Sequence, residues 1–275
     1  MVQGLGAASG IQYYKKQLYL ISDDQVYLYQ YDFKKEQQQK IKLEATIQNS
    51  EVFSKKDKLD FEAIMLVDNQ LYCIGSGSKE NRTKMIVYDI KKQTSNSYDL
   101  SKLFQYIRDN YNIDKKDFNI EGIAHYRGYT YMFNRGNGLN KLNLIFKFKG
   151  LPTNYDPNSI EKHQINLPII NGNQTTFSDA LIVDNQIIYT ATIEAESTVY
   201  KDGEVKESIV GAINLETFAL KNHQIIATNQ KIEGITMKKK TSKYYEFLFC
   251  EDNDDNSEAS KIYELKFSKD LTELR

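Results

Sequence analysis

The sequence predicts an all-β fold of the propeller class, five-bladed, with a six-bladed ring as the alternative if a connection hides short strands. Three observations predict it. The first is a short pattern, carboxylate then Gly or Ala then Ile or Leu. It appears as FEAIM (Phe61–Met65), IEGIA (Ile120–Ala124), FSDAL (Phe177–Leu181) and IEGIT (Ile232–Thr236), with a weaker ASGIQ at Ala8–Gln12. The second is spacing. Ser9, Glu62, Glu121, Asp179 and Glu233 stand 53, 59, 58 and 54 residues apart, and from Glu233 round through Arg275 and Met1 to Ser9 is a further 51. A ring with a period just above the propeller-blade range therefore closes with no gap for another unit. The third is texture. Each mark is followed by alternating apolar and polar residues rich in Tyr and Ile, as in QLYLIS, VDNQLYCIGS, YRGYTYMFNR, VDNQIIYTAT and KYYEFLFCED. That alternation belongs to half-buried strands.

Taken in order, the first repeat offers a hairpin in IQYYKKQLYLIS and a third strand in QVYLYQYD, with Tyr27, Tyr29 and Tyr31 on one face. KKEQQQK (Lys34–Lys40) reads as a polar turn and IKLEATI (Ile41–Ile47) as the outer strand. The second repeat turns at Asp68-Asn69, passes through GSGSKENR and resumes as KMIVYDI (Lys84–Ile90). One helix follows, Leu100 to Asn110. Leu100, Leu103, Phe104 and Ile107 fall at i, i+3, i+4 and i+7, and Asp99 is placed to cap it. It is expected over the edge of the ring, where it could act as a lid. The third repeat continues into LNLIFKFK (Leu142–Lys149) and the turn-rich LPTNYDPNS. The fourth carries a polar loop at Tyr200–Gly203 before VGAINLE, and the fifth an acidic loop at Glu251–Glu258 before KIYELKF. Each repeat needs its neighbours to bury its faces, so residues 1–275 are expected to form a single domain.

Charge is balanced, with 36 basic and 37 acidic residues, which argues against a nucleic-acid binder relying on a basic surface. Cys73 and Cys250 occupy matching places in different repeats, so they read as buried free thiols. The N-terminus, MVQGLGAASG, has neither a basic n-region nor an apolar h-region, and no run approaches the ~18 apolar residues of a membrane span. The expectation is a cytoplasmic monomer with no membrane partner.

In a propeller the first strand of each blade lines the central channel. If the marked residue begins that strand, Glu62, Glu121, Asp179 and Glu233 converge at one end. An antiparallel return brings Asp23, Ser76, Arg135, Ile193 and Glu251 back beside them. Asp24, Asn134, Asn137, Glu194 and Asp252 complete the rim, with Arg82 in the adjoining loop. Carboxylates sharing a narrow space need a proton, a cation or an arginine to neutralise them. Oxygen-only donors suit Ca²⁺, Mg²⁺ or Mn²⁺ much better than Zn²⁺. Arg82 and Arg135, with Asn134 and Ser76 beside them, are placed to hold an anion. The plainer reading is that blade-start acids bond to backbone N–H groups of neighbouring strands and tie blades together. No Ser-His-Asp arrangement is visible, which disfavours acyl-enzyme chemistry.

The motifs DFEAI, GSGSKENR, NIEGIA, NRGN, FSDALI, YKDGEV and KIEGI, in this order, resemble an uncharacterised bacterial β-propeller family, a domain of unknown function. More distantly the chain is similar to esterase-like phytase and to senescence-marker and gluconolactonase propellers. The gluconolactonase likeness implies one divalent ion, often Ca²⁺, in the channel, carried here by Glu62, Glu121, Asp179 and Glu233. Three functions follow as expectations. The channel binds a small anionic molecule with a divalent cation; or it is a metal-dependent hydrolase of a phosphoester or lactone, with Glu121 or Glu233 as catalytic base; or the ring is a protein-interaction platform.

Overall fold

The computed structural model describes residues 1–44, 57–195, 204–253 and 259–271. They form a five-bladed propeller. Blade 1 is built from Ala8–Tyr14, Gln17–Ser22, Tyr27–Asp32 and Gln37–Lys42, and blade 2 from Phe61–Val67, Gln70–Gly75, Lys84–Asp89 and Thr94–Asp99. Blade 3 contains Ile120–Tyr126, Tyr129–Asn134, Leu144–Lys149 and Glu161–Gln164. Blade 4 contains Thr176–Val183, Gln186–Ala195, Glu204–Asn214 and Leu220–Thr228. Blade 5 has three described strands, Lys231–Lys240, Tyr244–Asp252 and Ile262–Ser268. Every blade is an antiparallel meander, which needs only short turns. Lys15-Lys16 and Asp184-Asn185 both take positive φ at the inner hairpins of blades 1 and 4, the backbone such two-residue turns require.

Five apolar clusters lie one between each neighbouring pair of blades, including blades 5 and 1. The last pair is locked by the N-terminal segment. Val2–Gln3 pairs antiparallel with Ala259–Ser260, and Ala7 bridges to Asp252. Val2 and Leu5 are buried there.

The helix α1 spans Ser101–Tyr111, within a residue of expectation. Leu100 and not Asp99 takes the N-cap position, without a side-chain cap bond; Asp99, one residue earlier, accepts from the Ser101 N–H (2.9 Å) and hydroxyl (2.7 Å). The helix is no lid. Leu103, Phe104 and Ile107 are buried among residues of blades 2 and 3, and Phe104 lies 5.2 Å from the Phe118 ring. Among the described residues no helix is long and apolar enough to cross a membrane.

The outermost strands differ from the sequence reading. In blade 1 the turn takes only residues 33–36, and the fourth strand, Gln37–Lys42, begins within the polar run; residues 45–47 of the expected strand lie outside the described residues. Thr94–Asp99, Glu161–Gln164 and Leu220–Thr228 likewise form fourth strands that apolar patterning did not reveal. Backbone pairing to the third strand holds such a strand on one side, and its outer edge faces water. The loop at 200–203 and residues 254–258 of the acidic loop lie outside the described residues. Cys73 and Cys250 are buried free thiols on separate blades.

Candidate functional site at one end of the channel

Each inner strand starts with a β-bulge, and the bulge decides which side chain enters the channel. The register shifts between Ala8 and Gly10, Phe61 and Ala63, Ile120 and Gly122, Phe177 and Asp179, and Ile232 and Gly234. The extra residue is therefore Ser9, Glu62, Glu121, Ser178 or Glu233. Asp179, grouped with the glutamates on sequence, stands one residue later, opposite Thr190 in the position of Gly122. A slip of one residue redirects a strand side chain. Asp179 accordingly accepts from the backbone N–H of Ala180 (2.7 Å) and of Ile235 in blade 5 (2.9 Å). This carboxyl ties blade 4 to blade 5. Burial pushes its pKa well above the ordinary range, against the pull of those two N–H groups.

The bulge serines are staples too. The Ser9 hydroxyl donates to the Phe61 carbonyl of blade 2, and the Ser178 hydroxyl donates to the Ile232 carbonyl of blade 5 at 2.7 Å. The three bulge glutamates stand with charged partners. Arg135 Nη1 lies 3.4 Å from Glu121 Oε1 and 4.0 Å from Glu233 Oε1, and its Nε is 3.4 Å from Thr176 Oγ1. Blades 3, 4 and 5 thus meet at one guanidinium, itself buried. Lys231 Nζ sits 3.1 Å from Glu233 and 3.2 Å from Asp252. On the other side Lys58 Nζ bonds to Asp23 and lies 2.8 Å from Asp60, whose second oxygen takes Arg82 Nη1 at 2.8 Å. Burial opposes the charge on Lys58, but Asp23, Asp60 and Glu62 outweigh it and raise its pKa.

Glu121 and Glu62 are pushed upward as well. Glu121 rises to about 8, chiefly through burial, with Arg135 opposing and Glu233 reinforcing the shift. Glu62 rises well above the usual range through burial and the nearby acids Glu121, Asp60 and Asp23, against Lys58. Arg82 and Arg135 both turn inward, as expected from sequence. Ser76 and Asn134 are used up as supports. The Ser76 hydroxyl donates to Asp60. Asn134 takes the Asn119 N–H (2.8 Å) and donates to the carbonyls of Asp117 (2.9 Å) and Leu142 (3.0 Å). Asn137 is buried, and the Glu194 side chain lies outside the described residues.

Lys58, Asp60, Asn119, Thr176 and Lys231 were missed on sequence. Four of them share a signal that was there to be read. Asp60, Asn119, Thr176 and Lys231 each lie two residues before a bulge residue, and on a strand that spacing returns the side chain to the same face.

The expected metal set does not assemble. Among the described residues, the carboxylates whose oxygens lie within 4.8 Å of one another are Asp23, Asp60 and Glu62, without Glu121, Asp179 or Glu233. In that trio the Lys58 ammonium already bridges Asp23 and Asp60. Asp179 has both oxygens on backbone N–H groups. As arranged, an ammonium group occupies the oxygens of Asp23 and Asp60 that a divalent ion would share with Glu62. A separate cavity of about 330 Å³ lies at the opposite end, between blades 4 and 5, lined by Gln186, Ala212, Lys221, Asn222, Lys269 and Asp270.

Fold and site together define a five-bladed propeller with a charged, largely buried network at one end of its channel. The chain belongs to a family of unknown function, DUF6929, whose model matches residues 4–267. No curated protein matches the sequence. Among solved structures, the glutaminyl cyclase of Myxococcus xanthus is similar at TM-score 0.55 and 10% identity, over 95% of this chain and 91% of that one. A GH43 β-1,3-galactosidase follows at TM-score 0.54 and 12% identity, over 97% of this chain and 59% of the other. A luciferin-regenerating enzyme reaches 0.50 at 8% identity, over 100% and 76%. At such identities the likeness is one of fold.

Proposed function

We propose that this end of the channel binds a small anionic ligand, received by Arg135 with Lys231 and Thr176. The observation that supports the reading best is a convergence of donors. A buried guanidinium from blade 3 meets a blade 4 hydroxyl at 3.4 Å and a carboxyl, Glu121, raised to about 8. A carboxyl that keeps its proton at neutral pH donates to an anion instead of repelling it. In this reading the positive charge comes from Lys58, Arg82, Arg135 and Lys231 and not from a divalent ion.

Hydrolysis of a phosphoester or lactone is the second reading, because Glu121 and Glu233 both face Arg135. Two carboxyls at one guanidinium supply a candidate acid and base. Thermal melts of the wild type with phosphate monoesters and small di- and tricarboxylates test the first reading. A stabilising anion is expected, and Arg135→Lys should weaken it by about tenfold or more, since lysine lacks the bidentate fork. A wild type indifferent to every anion, or an unchanged response in Arg135→Lys, overturns it. Turnover lost in Glu121→Gln while binding persists would select the hydrolase.

A further inference from the structure

The residue before each bulge pairs with Ser22, Gly75, Asn134, Ala191 or Glu251 on the second strand of its blade. The next residue along that strand is Asp23, Ser76, Arg135, Thr192 or Asp252, so these five hold equivalent positions in the ring. In four blades the side chain belongs to the charged network. Asp23 bonds to Lys58, and the Ser76 hydroxyl donates to Asp60. Arg135 lies 3.4 Å from Glu121, and Asp252 lies 3.2 Å from Lys231. In blade 4 the position is taken by Thr192, one residue before the Ile193 that spacing suggested. Thr192 is wholly buried, and among the described residues its hydroxyl has no hydrogen-bond partner.

Building on the reading of Arg135 as the anion's receiver, we propose that the ligand carries a hydroxyl beside its anionic group and that Thr192 recognises it. Thr192 stands opposite Thr176 in the blade 4 ladder, so their Cβ atoms lie about 5 Å apart on one face. The Thr176 hydroxyl in turn meets Arg135 Nε at 3.4 Å. Thr192 is thereby set one side chain away from the guanidinium, within the span of a small molecule seated there. Valine would fill much the same space without burying a polar atom, and a buried hydroxyl without a partner is costly. A ligand hydroxyl satisfies it, because each of the two can donate and accept.

A second buried atom points the same way. Asn137 Oδ1, two residues beyond Arg135, has no hydrogen-bond partner among the described residues. Its loop is held against blade 4 by Asn143, whose Oδ1 accepts from the N–H groups of Gly136 (2.9 Å) and Phe177 (3.2 Å). An amide oxygen only accepts. A bare carboxylate or ionised phosphate therefore cannot satisfy it, whereas a hydroxyl can.

Calorimetric titration with matched pairs of anions tests the proposal: malate with succinate, citrate with tricarballylate, and glycerol 3-phosphate with propyl phosphate. The wild type should bind at least one hydroxylated member, about tenfold or more tightly than its counterpart. Thr192→Val should bring that pair within about twofold while affinity for the unhydroxylated member stays, and Thr192→Ser should keep the preference. Without ligand, Thr192→Val should melt no lower than the wild type, since it removes an unpartnered buried hydroxyl. A wild type that binds none of these anions overturns this proposal and the anion site together. Three results overturn this proposal and leave the anion site standing. They are pairs bound equally, a preference that survives Thr192→Val, and a lower melting temperature for that variant without ligand.

Discussion

Glu121 shows how a single carboxyl links the fold to pH. Its pKa is raised from 4.5 to about 8, so the folded chain holds a proton that the unfolded chain releases. The stability this contributes is fully present below about 4.5 and is lost as the pH rises through about 8. The wild type should therefore lose stability across that window. Glu121→Gln, which cannot ionise, should lose less and be the more stable protein at pH 9 by on the order of 1–2 kcal/mol. Urea titrations at pH 5, 7 and 9 would show it, and parallel pH profiles for the two proteins would refute it. Lys58 makes a complementary point. Replacing it by Met removes the ammonium from a cup of three carboxylates whose oxygens lie within 4.8 Å of one another. Lys58→Met should gain melting temperature in millimolar Ca²⁺ while the wild type does not, and chelator should leave the wild type unchanged. Of these residues the glutamates were legible in the sequence as a repeat. Lys58 was not, because it lies outside the repeat and enters the network through its long side chain.

At the scale of the element, the bulge at the head of each inner strand is the decisive feature. It places one residue, Ser or Glu, at the channel end and, in every blade but the fourth, sets a small residue directly after it. Gly234 is that small residue in blade 5. A Cβ there would meet Cys250 Sγ at 2.7 Å, Ile11 Cγ2 at 2.9 Å and the Ile11 backbone nitrogen at 3.1 Å. Gly234→Ala should therefore push blades 5 and 1 apart and cost about 1–3 kcal/mol by chemical denaturation. An unchanged midpoint would mean that the joint is looser than its contacts imply. The Ala-for-Gly exchange is tolerated at Ala63 in blade 2, where alanine already stands and is fully buried. Sequence spacing located these bulges in four blades and missed by one residue in the other. In FSDAL the carboxylate imitates the marker, but pairing register sets Ser178 there, and register is a property of two strands that one strand's sequence does not contain. The fourth strands were illegible for a related reason. Held by main-chain bonds at a wet edge, they carry no apolar alternation.

At the scale of the molecule, the ring count and the helix were readable because both rest on long-range regularities, a period near 55 residues and an i, i+3, i+4, i+7 stripe. Closure was readable only as arithmetic. The structure gives it a physical form, in which Val2–Gln3 lies against Ala259–Ser260 and Ala7 meets Asp252. That joint also sets a schedule for synthesis. A chain emerging from the ribosome can assemble blades 1 to 4 in turn, but the partners of residues 2 and 3 emerge about 250 residues later, on the order of 10–50 s at usual elongation rates. During that interval the blade 1 face that blade 5 will cover, including Ile11, Leu18 and Leu20, is open to solvent. Ring closure is therefore the slow capture of the first blade by one distant in sequence, with that face exposed to other chains until it happens.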